Sequence, residues 1–153
     1  MALEIEHKYL VISSEYKKAA KKCIPIRQGY LSRDPERTVR VRTKGDHAYL
    51  TVKTKNRGIV RNEFEYEIPF NDALQMLETC LCPIILKNRY LVDFEGFTWE
   101  VDEFLEDLSG ITVAEIELPT PETPYSIPPF IGKEVTGIPE YYNSNIYMLA
   151  HGK

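Results

Sequence analysis

Glu4, Glu6 and Lys8 stand at every second position near the start of this chain, with Leu3, Ile5 and Tyr9 beside them. That period puts full charge on one face of a strand and leaves the other face mostly apolar. The arrangement recurs. Arg40 and Arg42 alternate with Val39 and Val41, Val52 precedes Lys53, and Glu63, Glu65 and Glu67 alternate with Phe64, Tyr66 and Ile68. Lys87 and Arg89 lead into Tyr90 and Val92, Glu100 and Asp102 alternate with Trp99 and Val101, and Glu115 and Glu117 alternate with Ala114, Ile116 and Leu118. The wet face of an antiparallel sheet ordinarily mixes Thr, Ser, Gln and Lys. Seven segments that use full charges, sorted into acid strands and base strands, require a specific explanation. Carboxylate clusters hold hard divalent cations, and Lys/Arg clusters hold phosphate oxygens.

The bulk properties narrow the field. A length of 153 residues fits one domain over 1–153 with a real core. Cys23, Cys80 and Cys82 are an odd set that fits a reducing compartment better than a bridged scaffold, and with no further Cys or His pair at zinc-finger spacing Cys80 and Cys82 read as buried thiols. Met1-Ala2-Leu3-Glu4 enters a charged strand at once, which leaves no room for a signal peptide, and no apolar run approaches the roughly 20 residues of a membrane span. The expected location is the cytoplasm. A net charge of −4 excludes broad nucleic-acid binding, so a phosphate ligand must be small and enclosed.

Turn signals at Asp34-Pro35, Gly45-Asp46, Asn56-Arg57-Gly58 and Glu95-Gly96 separate the strands, and Arg27-Gln28-Gly29-Tyr30-Leu31 reads as one more. Ser13 or Ser14 should cap a short helix from Glu15 to Lys22 that ends before Pro25; Asn71 should cap another from Asp72 to Thr79, with Pro83 closing that region. A last short helix is expected over Asn143 to Ala150, after an irregular, proline-rich stretch from Pro119 to Pro129. The fold class is therefore α+β: an eight-stranded antiparallel β-barrel with a few short flanking helices. Its apolar faces pack outward against the helices and tail, and its charged faces point inward. Buried charges that cannot pair cost several kcal/mol each, so such an interior must be a hydrated tunnel that holds counter-ligands.

These features resemble the CYTH family, the triphosphate tunnel metalloenzymes, along nearly the whole chain. Glu4-Ile5-Glu6-His7-Lys8 matches the family's ExExK signature, Arg40-Val41-Arg42 its paired-arginine strand, Thr51-Val52-Lys53 its lysine strand and Glu63-Phe64-Glu65 its central acidic strand. Lys87-Asn88-Arg89-Tyr90 matches the KxR strand and Glu115-Ile116-Glu117 the final acidic strand, while Ile131 to Thr136 and Tyr141-Tyr142-Asn143 look like the C-terminal segment. The resemblance implies an enzyme that binds a triphosphate with a divalent metal, Mg2+ or Mn2+.

The leading expectation is a metal-dependent triphosphatase acting on inorganic tripolyphosphate, with ATP or thiamine triphosphate as further substrates, as a monomer or homodimer. Glu4, Glu6 and Glu117 would hold the activating metal; Glu63, Glu65 and Glu115 would hold a second ion or position water, with Asp102 as a reserve ligand. Lys8, Arg40, Arg42, Lys53, Lys87 and Arg89 would neutralise the substrate. Lys87, crowded by cations, would be the general base, with Tyr30 hydrogen-bonded to it. His7 falls on the opposite parity from Glu6 and reads as an exterior residue, and there is no GxxxxGK[ST] loop. Two rivals remain: a class IV adenylate cyclase making cyclic AMP from ATP, and a non-catalytic polyphosphate or nucleotide binder.

Overall fold

Antiparallel pairing carries the chain once around a closed barrel. The computed structural model describes residues 3–150, and His151 lies outside the described residues. The strands are β1 (Leu3–Val11), β2 (Lys22–Ser32), β3 (Arg37–Lys44), β4 (His47–Thr54), β5 (Val60–Ile68), β6 (Leu81–Phe94), β7 (Phe97–Phe104), β8 (Thr112–Glu117) and β9 (Ile131–Glu134). The first eight close in the order β1-β5-β4-β3-β2-β6-β7-β8 and back to β1. Two short segments do the closing. Leu3 to Ile5 pair with Val60 to Asn62 on β5, while Glu6 to Leu10 pair with Val113 to Glu117 on β8. No helix among the described residues is long and apolar enough to cross a membrane.

Local chemistry sets the hairpins. Phe94 opposes Phe97 across a two-residue turn in which both Glu95 and Gly96 have positive φ, 48° and 85°, the backbone twist that tight hairpins need. Gly29 answers a different demand. A Cβ there would lie 2.7 Å from Ile84 Cδ1 and 2.8 Å from Cys80 Cβ, so glycine lets the end of the helix α2 (Phe70–Thr79) seat directly on β2.

The apolar faces point outward, as the alternation predicts. Ile5, Tyr9, Trp99, Val101, Ala114 and Ile116 form one buried cluster with Phe130 of the irregular tail and Tyr16 of the single-turn helix α1 (Tyr16–Ala19). Val41 and Ala48 pack under Ala73 and Leu77 of α2. A third cluster departs from a wholly charged interior: Ile85, Phe104 and Val113, on the parity of Lys87, Asp102 and Glu115, pack with Leu108 and Ile146. One end of the barrel is thus apolar.

Several local expectations change. The first helix is one turn rather than Glu15 to Lys22 and has no side-chain cap; Lys22 already belongs to β2. Pro25 lies within β2, just beyond the pairing with β3 that begins at Ile26, where a missing N–H costs little. The second helix starts at Phe70 after Pro69, without a cap from Asn71, and Pro83 sits inside β6. The last helix shrinks to a 3₁₀ segment over Ile146–Ala150. β9 was not foreseen; its four residues show little alternation and are ordered by pairing with Tyr9 and Val11. Cys80 is buried, but Cys23 and Cys82 are exposed, and all three are free.

Candidate active site

The inward face of the barrel surrounds a cavity of about 190 Å³ lined by Glu4, Glu6, Arg40, Arg42, Lys44, Lys53, Glu63, Glu65, Arg89, Glu100, Glu115, Glu117 and Asn143. Every lining side chain except Asn143 is charged. The strand period explains this: β1, β3, β4, β5, β6, β7 and β8 each turn alternate residues inward, and along the cavity those residues are mostly acids and bases. A recess beside the cavity shares Glu6, Arg40, Lys53 and Asn143 with it and adds Lys8, Tyr30, Thr38, Arg61 and Tyr142.

Charges inside pair between strands that are adjacent or next but one around the barrel. Lys53 Nζ lies 3.1 Å from Glu4 Oε1 and 3.3 Å from Glu63 Oε2. Arg40 and Arg42 both reach Glu65, at 3.5 and 3.3 Å, while the Thr51 hydroxyl donates to the same carboxylate at 2.8 Å. Lys8 donates to the Tyr141 carbonyl at 2.9 Å and stands 3.6 Å from Glu115. Glu115 also faces Arg89 at 3.9 Å.

Asp102, expected as a reserve metal ligand, lies among cations. It is fully buried, and its oxygens accept from Lys87 Nζ at 2.7 Å, Arg89 Nε at 2.8 Å and Arg89 Nη2 at 2.9 Å. Those charge-assisted bonds engage both of its oxygens with Lys87 and Arg89. Tyr30 departs from expectation. It shares the recess with Lys8, and the hydrogen bond recorded for Lys87 is to Asp102.

The pairing leaves surplus charge of both signs. Burial, then Glu115 and Glu4, hold the Glu6 carboxyl well above the usual range; Glu63 is also raised by burial and Glu4, against the pull of Lys53. Glu117 is pushed up to about 7 by partial burial and by Glu4, Glu63 and Glu100. On the basic wall, burial and the neighbouring Arg40 and Arg89 bring Arg42 down to about 10. Burial, reinforced by Arg89 and opposed by Asp102, brings Lys87 down to about 7. For Glu115 and Asp102 burial alone would raise the pKa, but the combined attraction of the neighbouring cations wins and both are lowered. The acid edge is short of a cation and the basic wall is short of an anion.

A divalent cation fits this donor chemistry. Among the described residues, no three acid, imidazole or thiol side chains converge into a ready-made cage. The carboxylates Glu4, Glu6, Glu63 and Glu117 nevertheless offer hard oxygen donors along one cavity, and their mutual repulsion is the kind a bound cation relieves. The arrangement can therefore hold a compact polyanion against Arg and Lys, and its carboxylates would hold a divalent cation beside it.

Sequence reading brought together most of this site. Glu4, Glu6, Arg40, Arg42, Lys53, Glu63, Glu65, Arg89, Glu115 and Glu117 line the cavity, whereas Lys8 and Tyr30 line the recess. Lys87 and Asp102 are sealed, with no exposed side-chain surface. It missed Lys44, Arg61 and Gln28, which share the inward parity of Arg42, Glu63 and Tyr30, and it gave Glu100 no role. Extending each alternation by one step would have found them. His7 is outside, its Nδ1 2.6 Å from Glu134 Oε2.

Comparison with known proteins points the same way. The CYTH domain family model matches residues 2–142. The chain is 50% identical over 147 residues to the inorganic triphosphatase of Acetivibrio thermocellus, covering 95% of this chain and 94% of that protein. It is 28% identical over 144 residues to the inorganic triphosphatase of Nitrosomonas europaea, covering 92% and 93% respectively. A solved inorganic triphosphatase structure superposes with a TM-score of 0.67 at 27% identity over 95% of each chain.

Proposed function

This chain belongs to the CYTH domain family, and from that premise we propose that it is a metal-dependent triphosphatase whose preferred substrate is inorganic tripolyphosphate. The observation that carries the reading is the charge-lined cavity with acids and bases largely sorted onto different strands. Its small volume favours a compact anion, and the two curated relatives bear the same activity in their names. A pure anion binder would gain nothing from carboxylates that repel its ligand.

In this reading Arg40, Arg42, Lys53 and Arg89 grip phosphate oxygens from the basic wall, and Lys8 does so from the recess. Glu4, Glu6, Glu63 and Glu117 would hold the divalent metal, Mg2+ or Mn2+, while Glu65 and Glu115 face Arg42 and Arg89 of the basic wall. The metal would supply charge neutralisation at phosphate oxygens. Water adds its oxygen to a terminal phosphorus, the bridging P–O bond breaks, and diphosphate leaves with the electron pair. Lys87, held near neutrality, is assigned the proton of that water. Because Lys87 is sealed behind the cavity, this role requires its contact with Asp102 to open once the anion draws Arg89 forward. Tyr30 is assigned to the Lys8 side, where it helps order water in the recess. The free thiols accord with the cytoplasmic location proposed for the enzyme.

The test is a parallel assay of tripolyphosphate, ATP and thiamine triphosphate with Mg2+, Mn2+ or chelator, scoring phosphate and cyclic AMP. Metal-dependent phosphate release, fastest from tripolyphosphate, is expected. Cyclic AMP from ATP, or tight tripolyphosphate binding without phosphate release, would replace this reading with one of its rivals.

A further inference from the structure

Gln28 is the anomaly of the barrel interior. Its side chain is fully buried, and neither the carboxamide oxygen nor the nitrogen has a hydrogen-bond partner in the protein. An orphaned buried amide costs free energy that an apolar side chain of the same shape would not. Its place in the sheet is informative. On β2 it directly opposes Arg42 of β3, and Tyr30, the next inward residue, opposes Arg40. Arg42 carries the complementary defect: its Nε–H is buried and has no acceptor. An unpaired acceptor and an unpaired donor thus sit on directly opposed residues of one sheet face.

Arg42 makes its recorded contact elsewhere. Its Nη2 points to Glu65 Oε2 at 3.3 Å, a carboxylate that Arg40 and the Thr51 hydroxyl also share. A bound polyanion competes for the same guanidinium. We propose that Gln28 is a positioning residue for the triphosphate site: when phosphate displaces Glu65, the Gln28 carboxamide oxygen accepts the Arg42 Nε–H and fixes the guanidinium so that its two Nη groups fork onto phosphate oxygens. Planar guanidinium geometry makes this specific, because a guanidinium tethered at Nε has one orientation left for its paired Nη donors. The orphaned amide of the ligand-free protein is then the unfilled half of a contact made on binding. The proposal rests on the triphosphatase reading for the identity of the anion.

Gln28→Met keeps length and packing and removes the acceptor. It should raise KM for tripolyphosphate about tenfold, in line with loss of a hydrogen bond to a charged group. The melting temperature of the ligand-free variant should be unchanged or higher, and the rise produced by tripolyphosphate plus Mg2+ should be smaller than in the natural protein. The same change should have less than about a twofold effect in an Arg42→Lys background, which has no Nε–H to receive. A lower ligand-free melting temperature, or an equal KM loss in both backgrounds, would show that Gln28 only packs and would overturn the proposal. Calorimetric binding of tripolyphosphate in parallel separates the two levels: absence of phosphate release by the natural protein counts against the triphosphatase reading, while an unaltered Kd in Gln28→Met counts against Gln28.

Discussion

Arg42 and Arg57 carry the same side chain and differ in environment. Arg42 is 7% exposed inside the barrel between Arg40 and Glu65, and Arg57 is exposed in the β4–β5 connection. Arg42→Lys should lower kcat/KM at least about tenfold by removing a forked contact, and Arg57→Lys should leave it unchanged; steady-state kinetics of both variants checks this. Glu6→Gln keeps shape while removing a donor charge from the acid edge. Activity should fall about a hundredfold or more, with the circular dichroism spectrum retained. Lys87 gives a pH prediction. An amine with pKa near 7 accepts a proton only when neutral, so kcat should rise as pH increases through about 7. Gln28 excepted, no residue tests the site more directly, because loss of that acid limb in Lys87→Met, measured with residual activity, is not expected of a merely structural lysine.

The contact between β2 and α2 shows how an element is fixed by one missing atom. Gly29 lies under Cys80 and Ile84, at distances a Cβ could not share. Gly29→Ala should force α2 and the start of β6 outward and destabilise the fold by about 1–3 kcal/mol, the usual cost of overpacking. Denaturant unfolding measures it, and a stability equal to that of the natural protein would mean the helix is free to slide. The third apolar cluster belongs to this scale too. Ile85, Phe104 and Val113 continue the inward parity of Lys87, Asp102 and Glu115, so one short step along each strand turns a charged wall into an apolar plug that buries Ile146.

At the scale of the whole molecule, like charges facing one another make the empty barrel sensitive to pH. The sign follows from the raised carboxyls: Glu117 holds a proton up to about pH 7 in the folded state, whereas an unfolded glutamate releases it near 4.5. Its contribution is fully present below about pH 4.5 and is lost as pH rises through about 7, and Glu6 and Glu63 act in the same direction. Lys87 works the other way above neutrality, since its lowered pKa means the unfolded chain binds the extra proton between about 7 and 10.5. The metal-free protein should therefore melt at lower temperature at pH 7 than at pH 5. Glu117→Gln should shrink that difference, and Mg2+ with a non-hydrolysable triphosphate analogue should raise the neutral melting temperature by more than the sum of the two separate shifts. Scanning calorimetry across pH, with and without ligands, reads all three.

The two-residue period of Glu4, Glu6 and Lys8, of Arg40 and Arg42, and of Glu115 and Glu117 determines the inside and outside of each strand, because pleating leaves a side chain no third option. Turn chemistry at Glu95-Gly96 and its counterparts determines which neighbours form hairpins. Those local rules made the barrel and most of the cavity legible. What they do not contain is which inward side chain meets which. That Asp102 is saturated by Lys87 and Arg89, that Tyr30 faces the recess of Lys8, and that Gln28 opposes Arg42 without a hydrogen-bond partner depend on the register of the β6–β7 and β2–β3 hairpins and on burial in the closed barrel, which the period does not state. The same holds for β9, which has little strand signal of its own and exists because β1 offers it an edge. Period is a property of neighbours along the chain, whereas pairing and burial are properties of the closed sheet, and only closure decides them.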